Sequence, residues 1–423
     1  MNNTIQAKQT NTLALGKLLK YYKLPIIFIL FTLATSYFFM VNVADATSYF
    51  VLSARNTELP WILELSTPRY SFFSGISLIV ITISAFLLRV RKQNIPIWLT
   101  IGYCFILLFG FLVLISADAR LQIVSLLSGA IALSAPIIFG ALGGIISERV
   151  GVVNIAIEGQ LLAGAFLSAV IATITGNPYL GLLGAVVAGV FVSLILTLFA
   201  IKYIVDQVIV GVVVNVLVIG LTNFLATSVL ARNKAGLNDP QRFEAIAIPY
   251  LSDIPLIGPI LFEQTIIIYA MYFMVIAVYY GLFYTTWGLR LRAVGEHPKA
   301  ADTVGINVNR TRFLNVLLAG AIAGFGGAFF TLGSVGAFDR EMSQGLGFIA
   351  LAAVIFGKWH PLKATGAALL FGFTSNLHTV IGATGSNFAS EFLLMLPYVI
   401  TIFAVAGLVG KSNSPAAVGK PYV

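Results

Sequence analysis

From Leu24 onward, apolar runs of membrane-spanning length follow one another with short polar breaks between them. A helix crosses a bilayer with about 20 predominantly apolar residues, because the hydrocarbon core is about 30 Å thick and each residue rises about 1.5 Å. Candidate spans lie near 24–44, 70–88, 96–115, 123–147, 152–174, 180–201, 207–230, 265–284, 313–332, 345–357, 362–378 and 391–409. The run at 345–357 is short and reads as a half-span or re-entrant segment. Only helices or a closed barrel satisfy every backbone polar group in hydrocarbon. A barrel requires strands of alternating polarity, and runs such as Leu161–Thr173 and Ala350–Phe356 do not alternate. The expected fold class is all-α, a polytopic transmembrane helix bundle of about twelve spans. With 59% hydrophobic and 10% charged residues, the 423-residue chain lies outside the range of soluble domains, which carry about 25% charged residues.

One segment breaks the pattern. Gly288–Arg312 carries Arg290, Arg292, Lys299, Arg310 and Arg312 against Glu296 and Asp302, with long apolar runs on both sides. It cannot sit in hydrocarbon, and it is longer and more helix-compatible than a hairpin between spans. An excess of Lys and Arg marks cytoplasmic segments, so this one is expected inside, as a docking element for a cytoplasmic partner. Placing both termini in the cytoplasm puts most of the 25 Lys and Arg on that side, and Asp239, Glu244, Asp253 and Glu263 outside. The net charge of +9 is then anchoring to the bilayer surface rather than a nucleic-acid footprint.

The chain divides near residue 120. Residues 1–120 form aromatic, Gly-poor accessory spans with an outer loop carrying Asp45, Glu58 and Glu64. From Ser125 onward glycine is dense, with Gly140/Gly144 and Gly320/Gly324 at GxxxG spacing, which lets helix backbones approach closely. Residues 121–411 read as the working core, 285–312 as a cytoplasmic loop within it, and 412–423 as a cytoplasmic tail. The stretch 140–172 resembles 323–357: each has Gly-Gly in a span, a Gly-containing break and a small-residue-rich span. They enter from opposite sides, the arrangement of an inverted repeat around a broken helix.

Polar residues at span depth are the candidate site. In the run from Ser147 to Gln160, Glu158 falls about 10 Å deep if a helix restarts near Gly151, and ionisable groups there are costly and either functional or paired. Asn154, Glu158 and Gln160 beside Gly151 and Gly159 indicate a broken helix near a polar cavity. Asn215, Asn223 and Asn376 supply further amides at span depth, able to read a polar, uncharged solute or to join helices. His297, His360 and His378 are scattered without metal-ligand spacing, and Cys104 is alone in an apolar run. No catalytic constellation is found, so the chain reads as a transport subunit and not an enzyme. The stretch ending Gly410-Lys411-Ser412 has Val405 where a phosphate-binding loop needs glycine. With no cofactor, metal or energy source of its own, the chain is expected to need a partner that uses ATP.

The segments GLRLRAVGEHPKAADTVGINVNRTR, VGVVNIAIEGQLLAGAF, DQVIVGVVVNVLVIGLTNF and IPYLSDIPLIGPILF resemble the permease subunits of bacterial ABC importers for nucleosides and simple sugars, over roughly 120–410. The family also includes ribose and branched-chain amino-acid permeases, and the VNIAIEGQ-type segment is that of the nucleoside subgroup. The resemblance implies a plasma (inner) membrane importer of nucleosides or related simple sugars. Its other parts would be an ABC ATPase subunit, a second related permease subunit and an extracytoplasmic substrate-binding lipoprotein. Glu296–Gly305 matches the coupling helix, with Glu296, Pro298, Ala300, Ala301 and Gly305 as ATPase-coupling residues. It is similar to the EAA-type loop, although Glu296 is not adjacent to the Ala pair. Asn154–Gln160 would lie near the translocation path, the loop 231–264 and the 333–345 turn (Asp339, Arg340, Glu341) would face the binding protein, and Arg290, Arg292, Arg310 and Arg312 would be membrane-surface anchors. The competing reading is an ion-coupled secondary transporter of a small polar solute, which accounts for Glu158 and the repeat but not for the Ala/Gly docking loop.

Overall fold

The computed structural model describes residues 2–41, 43, 45–52, 61–384 and 414–422, with side chains from Tyr21. The candidate span at 391–409 lies outside them. Two compact units emerge: one runs to Leu126 and takes in the end of the last described helix from His378, while the other runs Leu127–Leu377 and takes in 414–422.

The first unit contains α1 (Asn2–Met40), α2 (Thr67–Val90) and α3 (Ile97–Ile115). Its core is aromatic. Phe28 stacks on Tyr103 with ring centroids 4.0 Å apart, and the Tyr103 hydroxyl donates to the Phe28 carbonyl at 3.0 Å. Thr32 lies within hydrogen-bond distance of both Thr82 and Tyr103, so three polar side chains close on one another instead of facing lipid. The loop expected here forms strands: β1 (Thr47–Val51) pairs antiparallel with β2 (Ile62–Ser66), Thr47 opposite Ser66, and parallel with β3 (Arg120–Gln122).

The second unit begins within α4 (Ile123–Arg149) and continues with α5 (Ile157–Thr175), α6 (Pro178–Thr197) and α7 (Gln207–Leu225). Short helices α8 (Lys234–Leu237) and α9 (Ile257–Leu261) follow, with the hairpin β4 (Ile246–Ala247) and β5 (Glu263–Gln264). Then come α10 (Ile266–Tyr284), α11 (Thr286–Glu296), α12 (Pro298–Thr303), α13 (Val308–Ala328), α14 (Leu346–Phe356) and α15 (Pro361–Thr384). Among the described residues nine helices are long and apolar enough to cross a membrane. The chain is a multi-pass membrane protein. Helix α15, which carries Lys363, Asn376 and His378, is not among the nine.

Local sequence sets the helix boundaries. Gly176 takes the left-handed conformation at φ 63° to end α5, and Asn177 accepts from the Tyr179 N–H to start α6 with Pro178 in its first turn. Asp206 caps α7 through the Val208 and Ile209 N–H groups. Helices α5, α6 and α13 then pack at backbone distance: a Cβ on Gly164 would collide with the Gly324 carbonyl, and one on Gly189 with the Gly320 carbonyl. Without a hydrophobic drive between helices in lipid, such close approach supplies the packing attraction.

Candidate functional site

The chain between α4 and α5 does not re-enter as a helix. After Gly151, at φ 97°, residues 152–156 are irregular and α5 begins only at Ile157, placing Glu158 in its first turn. The freed backbone is satisfied by amides. Gln207 accepts from the Val153 N–H at 2.8 Å. Asn215 accepts from the Gly159 N–H and donates to the Ile155 carbonyl, both at 2.8 Å. Asn154 and Gln160 bond each other twice at 3.2 Å, and Gln160 donates to Ser193 at 2.8 Å.

Glu158 is 4% exposed. One carboxylate oxygen accepts from the Ser343 hydroxyl at 2.6 Å and the Gly345 N–H at 2.9 Å, the other from the Gly347 N–H at 2.7 Å. It therefore holds the N-terminus of α14, where the helix dipole favours negative charge. With 11 residues, α14 is about 16 Å long, half the hydrocarbon thickness. Both 140–172 and 323–357 are thus helix–break–helix units, and Glu158 of the first binds the break of the second.

Of the six amide and acid residues singled out from sequence, Asn154, Glu158, Gln160 and Asn215 gather at this break, each bonded to protein. Asn376 lies elsewhere, against Gly129 of α4. Asn223 lies two turns along α7 from Asn215, about 12 Å away at 1.5 Å per residue. Its amide donates to Glu341 at 3.0 Å, while its buried Oδ1 has no hydrogen-bond partner. Beside it is a cavity of about 560 Å³ lined by Asn223, Phe224, Thr227, Asp339, Arg340 and Glu341. Phe224 is 64% exposed there. Sequence reasoning set Asn223 apart from 339–341; the descent of the chain from α13 into the half-helix joins them.

The basic segment folds as two helices and not one. Thr285 caps α11 through the Gly288 N–H at 3.2 Å. Pro298 disfavours helical geometry in the residue before it, and His297 is extended at φ −138°, ψ 79°, so the chain turns there into α12. Gly305, at φ 86°, ends the segment in a conformation that strains other residues, and Asn307 caps α13. Leu291, Val294 and Gly295 are buried, Gly295 directly against the Arg149 carbonyl. The expected Ala face is split: Ala301 is buried and Ala300 is exposed beside Val304, itself 75% exposed. Val304 was not singled out from sequence, where it stands between Thr303 and Gly305.

Arg312 departs from the expected surface anchoring. Arg312 is 2% exposed and donates to the Lys420 carbonyl at 3.0 Å, because the 414–422 segment covers it. Arg292 lies over the Phe283 ring, 5.2 Å from its centroid. Nearby, His360 packs on Phe283 and Tyr279. Burial first, then Lys363 and Arg149, hold its imidazole below the usual histidine pKa.

The family described as "Branched-chain amino acid transport system / permease component" matches residues 126–405. Over 303 residues the chain is 41% identical to the guanosine ABC transporter permease protein NupQ of Bacillus subtilis, covering 69% of this chain and 93% of that one. It is 38% identical over 299 residues to the nucleoside ABC transporter permease protein NupC of Lactococcus lactis, covering 69% and 94%. A putative glucose ABC transporter permease protein, TsgC13 of Haloferax volcanii, is 34% identical over 252 residues, covering 60% and 76%. No solved structure matches the chain.

Proposed function

The chain belongs to the branched-chain amino acid transport system permease family, and on that premise we propose that it is the permease subunit of an ATP-driven nucleoside importer of the plasma membrane. The observation that carries the cargo assignment is the 41% identity to a guanosine permease, extending over 93% of that protein. The basic segment α11–α12 faces the cytoplasm, as its Lys/Arg excess requires, and presents Ala300 and Val304 to an ABC ATPase subunit that binds and hydrolyses the ATP. A second related permease completes the pathway, and a substrate-binding lipoprotein delivers cargo from outside.

Within this subunit, Asn154, Glu158, Gln160 and Asn215 frame the break, and the cavity at Asn223 and 339–341 touches the cargo. Its volume of about 560 Å³ lies in the range of small-molecule sites, roughly 300–1,000 Å³. The carboxylates of Asp339 and Glu341 suit ribose hydroxyls, and Phe224 offers a face for a base. Residues 1–120 serve as an accessory module to the permease core.

The test is uptake by proteoliposomes holding the permeases, ATPase and binding protein. Guanosine and adenosine should enter only with ATP supplied to the ATPase side. Uptake driven by an ion gradient without ATP would overturn the importer reading, and ATP-driven uptake of glucose but of neither nucleoside would overturn the cargo.

A further inference from the structure

Residues 414–422 lie across the basic segment and join three parts of the second unit. The Ala417 N–H donates to the Gly295 carbonyl at 2.9 Å, and the Ala416 N–H to the Glu296 carboxylate at 3.2 Å. The Gly419 N–H reaches the Gly151 carbonyl at 3.3 Å, at the very turn where the broken segment begins. The Lys420 carbonyl accepts from Arg312, whose guanidinium is otherwise buried without a hydrogen-bond partner on Nε or Nη2. The Asp302 carboxylate of α12, before any other cause, raises the Tyr422 phenol pKa. Pro415 and Ala417 are buried. A tail that merely trailed into solvent would bury neither residue and would leave Arg312 without the Lys420 carbonyl and open to water.

Between this strap and the coupling segment runs a groove of about 640 Å³, lined on one side by Pro298, Lys299 and Ala300 and on the other by Lys420, Pro421 and Tyr422. Its apolar floor carries two exposed lysines, Lys299 and Lys420. The nearby acid, Glu296, is engaged by the Ala416 N–H. Among the lining side chains two lysines outnumber the one carboxylate, Glu296, which keeps its charge while accepting that bond, so the groove carries a small positive excess around an apolar channel.

We infer that residues 414–422 are part of the coupling face: they clamp the end of α11 to the Gly151 turn and to α13, and they form the second wall of a groove that takes an acidic segment of the ATPase subunit. The clamp gives movement of α11–α12 a direct backbone route to the break that leads into Glu158 and that Asn215 of α7 braces. The groove's occupant rests on the importer reading; the clamp does not.

The experiment compares three chains in the assembled complex in nanodiscs: wild type, a deletion of 414–423, and the double variant K299E/K420E. Hydrogen exchange of the 291–303 amides reads the clamp, and ATPase retained on the tagged permease reads the groove. The deletion should raise exchange about tenfold or more and lower ATPase retention. K299E/K420E keeps the backbone bonds, so exchange should stay within about twofold while retention falls several-fold and becomes less salt-sensitive. Unchanged exchange in the deletion would overturn the clamp. Unchanged retention in K299E/K420E would overturn the groove, even if the deletion fails to assemble. A wild-type chain that retains no ATPase would instead refute the importer reading, while exchange still tests the clamp.

Discussion

Replacing Glu158 by alanine separates an anchoring carboxylate from a cargo-binding one. In the wild type the carboxylate accepts from Ser343, Gly345 and Gly347 at a position 4% exposed. E158A leaves two backbone N–H groups at the start of α14 and one hydroxyl without their acceptor, in a site closed to water. Each unsatisfied buried donor costs roughly 1–3 kcal/mol, and the Ser343 hydroxyl can rotate to another acceptor, so the expected loss is about 4 kcal/mol. That is about a thousandfold in the folding equilibrium. E158Q keeps one carbonyl oxygen but turns an NH2 toward a donor, and should lose about half as much. The assay is reversible denaturant unfolding of the purified permease in mixed micelles, run beside nucleoside uptake. A double-mutant cycle of E158Q with S343A should show coupling of roughly 1 kcal/mol, since the two side chains touch. The reasoning fails if E158A unfolds within about 0.5 kcal/mol of wild type while uptake is abolished, because Glu158 would then serve cargo and not α14.

Three further outcomes are expected. G164A and G189A should each destabilise by about 1–3 kcal/mol or more by overpacking against backbone, whereas G366A, which has open space at Cβ, should be near neutral in the same unfolding assay. N223A and E341Q should raise the KM for nucleoside uptake several-fold while leaving unfolding unchanged within about 0.5 kcal/mol; a change confined to stability would remove the cavity from the route. The lowered His360 pKa means the unfolded chain binds the proton more readily, so His360 lowers stability as pH falls through about 6.5. Thermal melts of wild type and H360Q should diverge on acidification below that pH, and parallel curves would refute the assignment.

The basic segment shows what sequence could and could not reach. Its position outside hydrocarbon follows from charge, and its breakpoints from Pro298 and Gly305, since φ restriction is a property of single residues. That Ala301 turns inward, that Val304 stands exposed and that Arg312 is buried depend on α13 and on residues more than a hundred positions downstream. No local pattern encodes that. Likewise the short α14 is legible as a half-span from its length, but the residue that holds its N-terminus is not.

By itself the sequence determined the class of solvent: apolar length and charge excess decide what must cross a bilayer and what must stay out, because transfer free energy adds up residue by residue. It also marked the polar residues at depth as exceptional. Only the tertiary structure decided their roles. Asn154, Glu158, Gln160 and Asn215 could each have faced a pathway or a neighbour, and which donors lie within 3.2 Å of each depends on how α5, α6, α7 and α14 meet. A buried hydrogen bond is a property of a pair. Its second member lies far along the chain, and only the packed bundle brings it near.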